Sequence, residues 1–404
     1  MNGVIGSEYP KDKDSAGCNF LHLDSVSKRG NTCASFTGDP FPMAASRRSK
    51  VGFSRSPKAL WLAILTSCCI ASLAQAQTFT SFDAPNAGSG KNQGTEAIAI
   101  NQSGEIVGSY IDSSNALHGF VRSASGTITE FDAPGLTDTQ AAAINTSGQT
   151  VGSGNHDSRI RGTIEGFLRS PSGTISGFQP PSALLTFPAG INDRGQIAGT
   201  YLTGGSVYHA FIVVINGGTS SYTLFDEPDA SDAPGRGTFV SGINANGEAV
   251  GYYVDATVGA LHGFTRDSKG NFTSFDAPGA GTILDSGTVP TSVNRSGEMT
   301  GYYTDNNYQE HCFIRDASGN FTDFDPPGST GTYATRINDG GEIVGYWEDS
   351  AALVSGFVRS ASGAITSYTV PVPNSATYLY SVNNAGHLVG IYADLNGTYH
   401  GFVQ

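Results

Sequence analysis

Basic residues are scarce in this 404-residue chain, with 22 Lys and Arg against 35 Asp and Glu. Nucleic-acid binding needs many cations to neutralise phosphates, so the composition excludes it. The scarcity is uneven. Residues 1–76 hold 9 of the basic and 5 of the acidic residues, which leaves 13 against 30 in residues 77–404, a net charge of −17. Cysteine is equally scarce and lies mostly at one end: Cys18, Cys33, Cys68 and Cys69 precede residue 77, and only Cys312 follows. Without a second cysteine no intramolecular disulfide can form there, and stability must come from a core. Cys312 stands where sister repeats carry Gly or Ala, the place of a small buried residue rather than a reactive thiol. No apolar run is long and clean enough for a membrane span. Neither H-E-x-x-H nor G-x-S-x-G is present.

The N-terminal region reads as an export signal. Arg47, Arg48, Lys50, Arg55 and Lys58 precede the apolar run Ala59–Leu65, which continues to Leu73 and ends in Ala74-Gln75-Ala76. Charged, apolar and A-x-A segments in that order predict a signal peptide over 43–76, cut after Ala76, and a secreted, extracellular product. Met43 fits a start better than Met1, so 1–42 reads as an untranslated or disordered extension. Leu65-Thr-Ser-Cys68 is the alternative, a lipoprotein box acylated at Cys68, although the sequence after it stays apolar.

What is abundant is glycine, 53 residues, and a unit repeated seven times. Its pattern is Ile-Asn-x-x-Gly-Glu-Ile-Val-Gly-Tyr-Tyr-x-Asp, then His-Gly-Phe-Val-Arg, then Phe-Thr-x-Phe-Asp-x-Pro. The Asn column runs Asn101, Asn145, Asn192, Asn244, Asn294, Asn338 and Asn383. The Phe column runs Phe120, Phe167, Phe211, Phe264, Phe313, Phe357 and Phe402. Each unit predicts four short strands, a to d, and no helical period interrupts them. Asn-x-x-Gly is the a–b turn, with Asn capping and Gly in the left-handed conformation. Four antiparallel strands in a repeat of 44 to 52 residues predict an all-β, seven-bladed β-propeller over 77–404. A linear β-solenoid is the runner-up. The repeats begin with a lone strand d, Thr78–Asp83, and end after a lone strand c, His400–Gln404, so the N-terminal strand is expected to close the last blade.

Loop lengths point to a binding face. The a–b and c–d turns hardly vary, except for Ile215–Gly218 in the third unit. The d–a connections vary, with long loops at 84–95, 227–240 and 277–291 on the face shared with the b–c loops. Strand b ends towards that face in an aromatic followed by an acid: Tyr110 and Asp112, Tyr253 and Asp255, Tyr303 and Asp305, Trp347 and Asp349, Tyr392 and Asp394. These ten are the candidate ligand-binding residues, suited to stacking on sugars or to holding a hard cation such as calcium. The same pattern also fits rings packed between blades and Asp caps on loops. No other cofactor and no metal set is indicated. The Asp of Phe-Asp-x-Pro (Asp83, Asp132, Asp226, Asp276, Asp325) is expected to cap its own turn. The His column (His118, His209, His262, His311, His400) is expected to be hydrogen-bonded. The Arg column (Arg122, Arg169, Arg266, Arg315, Arg359) is expected to pair with carboxylates between blades.

The unit resembles the bacterial extracellular HAF repeat, named for His-Ala-Phe, which stands here as His209-Ala210-Phe211. Other copies read His-Gly-Phe at 118–120, 262–264 and 400–402, Glu165-Gly-Phe167 and Ser355-Gly-Phe357. The resemblance implies secretion and a repeat architecture, and brings no settled activity. Two functions are therefore expected. One is a secreted, monomeric, non-catalytic propeller that binds a glycan, protein or cation on the variable face. The other is a polysaccharide hydrolase or lyase using carboxylates such as Asp255, Asp305 and Asp349.

Overall fold

The computed structural model describes residues 78–156 and 163–404; the expected signal peptide, Cys68 and the Ala76 cleavage site lie outside these residues. Among the described residues every regular element is a β-strand. The first complete unit has strands a (Gly94–Ile100), b (Ile106–Ile111), c (Leu117–Arg122) and d (Ile128–Phe131), paired in sequence order and antiparallel. The same meander recurs along the chain. In the third unit the insertion lengthens the c–d hairpin, whose strands run Tyr208–Asn216 and Thr219–Phe225 around Gly217 and Gly218, both at positive φ. The last unit has strands Ala376–Val382, Leu388–Ala393 and Tyr399–Val403. Thr80–Phe82 pairs antiparallel with Tyr399–Val403 through Thr80↔Val403 and Phe82↔Gly401. Strand a starts earlier than the sequence indicated, at Gly94, Thr238 and Gly287, so the long d–a loops are shorter than their predicted bounds.

Apolar side chains fill the spaces between neighbouring units. All seven Phe of the c column are fully buried. Strand b supplies Ile106, Ile197 and Met299 to the same layers. Cys312 is buried among Phe324, Ala334 and Phe357, the inert position its column indicated. The strand-b glycines are required by close approach: a Cβ at Gly108 or Gly251 would run into the carbonyl oxygen of Glu96 or Phe239. Strand a carries a β-bulge opposite each of these glycines, as between Ala97 and Ala99.

The Asn column does more than cap its turn. Asn101 Oδ1 accepts the N–H groups of Ser103 (3.0 Å) and Glu105 (2.9 Å), and Gly104 sits at φ 83°. That half was legible in Asn-x-x-Gly. The other half is tertiary. Asn101 Nδ2 donates to the carbonyl of Asn145, Asn145 to Asn192, and so on through Asn244, Asn294 and Asn338 to Asn383. Asn383 then donates to Asn101. The seven bonds span 3.0–3.2 Å and form a cycle. The second amide proton goes to the side chain four residues on, Glu105 in the first unit and Gln149 in the next. Each amide is thus satisfied within a buried layer, where an unpaired group would be costly.

A second buried column went unread in the sequence. Thr95, Thr139, Thr238, Thr288 and Thr377, all at strand a, accept the N–H of Ala84, Ala133, Glu227, Ala277 and Val370 at 2.9–3.3 Å. These bonds hold the d–a turn. Thr186 and Thr332 occupy the same place, but the residue that would donate is Pro180 or Pro326, which has no N–H. Their hydroxyls are buried and have no partner.

Candidate functional site

The b–c loops are built on the five candidate aspartates. Asp255 Oδ1 accepts N–H bonds from Thr257, Val258 and Gly259 at 2.8–2.9 Å. Asp112, Asp305, Asp349 and Asp394 each take the N–H groups two and four residues ahead. Backbone donors at Ala116, Gln309 and Thr398 hold the carboxyls of Asp112, Asp305 and Asp394 below the ordinary range. At Asp255 burial pushes the value up, but the Gly259 and Val258 amides outweigh it and the net shift is downward. These carboxylates fasten loops, one in each of five units.

The candidate tyrosines lie under histidines. Strands b and c place Tyr253 opposite His262, and their rings stack at 5.1 Å. Tyr110, Tyr303 and Tyr392 meet His118, His311 and His400 at 4.9–5.2 Å. All four tyrosines are buried, with 4–7% of their surface exposed. Trp347 differs. Ser355 stands opposite it in place of His, the ring is half-buried, and its indole N–H lacks a partner. Each His reaches on to the Asp at the end of strand d: His118 Nδ1 to Asp132 (2.8 Å), His209 to Asp226 (2.9 Å), His262 to Asp276 (2.9 Å), His311 to Asp325 (2.8 Å) and His400 to Asp83 (3.0 Å). His262 Nε2 also meets Asp255 at 3.3 Å. Burial lowers the affinity of His118 and His262 for a proton, but the flanking carboxylates outweigh it and raise both values. The tyrosine, histidine and both acids of one unit therefore come together. None of these contacts joins candidate residues of different units.

Two expectations are corrected. The Phe-Asp-x-Pro aspartates hold histidines, and after Asp83, Asp132, Asp226 and Asp276 the next N–H goes to the strand-a threonine. The Arg column does not pair with carboxylates: among the described residues no acid lies within 4.0 Å of these guanidiniums. They lie instead over phenylalanine rings of the preceding strand d. Arg122 sits over Phe82, Arg169 over Phe131, Arg266 over Phe225, Arg315 over Phe275 and Arg359 over Phe324, at 4.4–5.0 Å. An aromatic face attracts a cation without the desolvation of a second ion. Strands a and b lie between ring and guanidinium in sequence, and the two belong to neighbouring units, which a column-by-column reading misses.

Further features of the molecule came only from the structure. The residue before each candidate aromatic points the other way, as strand alternation requires. Tyr302 and Tyr346 thus meet Tyr333 and Tyr378 of the next unit at 5.2 Å, and Tyr252 stacks on Phe239 at 4.8 Å. Glu96 and Glu310 lie beside this aromatic belt. Burial pushes the Glu96 carboxyl up to about 7 and raises Glu310 against a hydrogen bond from Tyr333. On the variable-loop face, Val258, Ile283, Leu284 and Tyr308 are 37–51% exposed. They are held on three adjoining loops: Asp285 N–H donates to the Gly259 carbonyl, and the Tyr308 hydroxyl to the Leu284 carbonyl. Leu353 and Leu395 are more exposed still, each on another b–c loop. On the opposite face the Asn cycle surrounds a cavity of about 410 Å³. Among the described residues no group of three His, Cys, Asp or Glu side chains could hold a metal ion. No helix there is long and apolar enough to cross a membrane.

No family model matches the chain, and no curated protein does either. Solved structures do. A streptogramin B lyase matches with a TM-score of 0.51 at 11% identity, over 81% of this chain and 97% of its own. The virginiamycin B lyase of Staphylococcus aureus matches at 0.50 and 12%, over 81% and 99%. The β-propeller domain of the trilobed protease from Pyrococcus furiosus, described as having an open velcro topology, matches at 0.54 and 8%, over 76% and 94%. The fold is a β-propeller. At such identities the likeness extends to the propeller fold alone.

Proposed function

We propose that the seven repeats are seven blades of a closed propeller, with Thr80–Phe82 as the fourth strand of the last, and that the molecule is an exported, non-catalytic binding protein. Closure is supported by the Asn cycle and by the pairing of Thr80–Phe82 with Tyr399–Val403. A role without catalysis is supported by the five loop aspartates, each of which has one carboxylate oxygen, Oδ1, taken up by its own loop.

The observation that carries the reading is the apolar patch of Val258, Ile283, Leu284 and Tyr308 on the variable-loop face. Aliphatic side chains on interlocked loops suit a protein partner. The rings that would stack on sugars, Tyr110, Tyr253, Tyr303 and Tyr392, are covered by histidines, which favours protein over glycan. The exported form, whose N-terminus is Gln77 on this reading, should be purified from medium with a photo-crosslinking residue at position 284. A single partner is expected, lost when Val258, Leu284 and Tyr308 are all changed to Ser while the melting temperature holds. Neutral polysaccharides that stabilise the wild type and the triple variant alike would overturn the reading.

A further inference from the structure

The second residue before each Asn of the cycle is small in six units: Ala99, Ala143, Gly190, Gly242, Ser292 and Ser381. In the sixth it is Arg336. This position follows the strand-a bulge, between Ala334 and Arg336 in that unit, and Arg336 lines the cavity inside the Asn cycle. Among the described residues its guanidinium has no ion pair and no hydrogen bond. The five arginines of the c column, by contrast, rest on phenylalanine rings. Arg336 is half-buried, and desolvation alone disfavours its charge, with no carboxylate opposing that effect. A half-buried cation without a partner bears part of a desolvation cost, which a bound anion would lower.

The rest of the lining fits. Ile191, Ile337 and Val382 are among the apolar side chains in a lining otherwise rich in Asn amides. Arg295 adds a second positive charge at the rim. Two rim acids, Asp193 and Asp339, offset the two arginine charges, but they bond away from Arg336: Asp193 accepts the Thr146 N–H, and Asp339 accepts the Arg295 N–H and the Asn384 amide. At about 30 Å³ per water, a cavity of about 410 Å³ holds a phosphate-sized ion with water to spare.

We infer that this end of the central channel is an oxyanion site, in which the Arg336 fork binds a phosphate- or carboxylate-bearing small molecule. It lies on the face away from the apolar patch and stands independently of the partner proposed there. Guanidinium binds both groups through two parallel hydrogen bonds. The test is calorimetric titration of the full chain with inorganic phosphate and with citrate, in a chloride background of fixed ionic strength. Arg336→Ser installs the residue already present at Ser292 and Ser381, so the blade should fold. Arg336→Lys keeps the charge and loses the fork. Saturable binding to the wild type is expected. It should weaken at least about tenfold in Arg336→Ser and by less in Arg336→Lys. Citrate binding without phosphate binding identifies carboxylates as the ligand class, and the reverse identifies phosphates. Equal affinity in all three proteins, or no saturable binding to the wild type by either anion, overturns the inference. Melting temperatures of the three proteins without ligand separate loss of the site from loss of the fold.

Discussion

Replacing a strand-a threonine by valine should have opposite effects in different blades. At Thr238 the hydroxyl accepts the buried N–H of Glu227 at 2.9 Å. Valine there removes the acceptor and leaves that N–H orphaned, a cost of about 1–3 kcal/mol. At Thr332 the neighbour is Pro326, no N–H is present, and the hydroxyl is buried without a partner. Valine there replaces an unsatisfied hydroxyl by a methyl group of similar size and should stabilise by about 1 kcal/mol. Thr186, beside Pro180, should behave as Thr332 does. Urea unfolding of Thr238→Val, Thr288→Val, Thr186→Val and Thr332→Val gives the midpoints at constant slope. A double-mutant cycle sharpens the comparison. Pro326→Ala restores the donor, so it should stabilise the wild type more than it stabilises the Thr332→Val variant, by about 1 kcal/mol. If Thr186→Val and Thr332→Val destabilise as much as Thr238→Val, the threonine matters through packing and the hydrogen-bond argument is refuted.

Other perturbations test other layers. Asn383→Asp keeps the turn acceptor but loses the donor to the Asn101 carbonyl. It should lower stability by about 2 kcal/mol, read as a fall in the urea midpoint. Glu96 has its carboxyl raised to about 7, so the fold favours its neutral form. Its contribution is complete below about pH 4, the unfolded value, and is lost as pH rises through about 7. Glu96→Gln should therefore gain melting temperature relative to wild type at pH 8 but not at pH 4. A gain independent of pH would show that the carboxyl is not desolvated.

How much could be read without coordinates depends on how far each interaction reaches along the chain. The a–b turn was legible because Asn101, its donors and Gly104 lie within five residues. Strand order followed from alternation and repeat length, and Cys312 from the size of its sister residues. The chemistry of the columns was harder. Asp132 and His118 are 14 residues apart, and only the c–d register sets them together. The guanidinium–ring pairs, the Asn cycle and the partners of Ser109 and Thr200, which accept the Ala141 and Val240 N–H groups, all cross between units.

The residues by themselves determined an all-β repeat, an acidic composition, one inert thiol within the repeats and the capped turns, because local geometry and side-chain size act within one strand or turn. Tertiary structure alone decided which of two adjacent tyrosines lies beneath a histidine and which meets the next blade. It also decided which loops share an apolar patch, and that Arg336 faces a cavity. Those outcomes depend on how blade packs on blade around an axis, and no single repeat contains that axis.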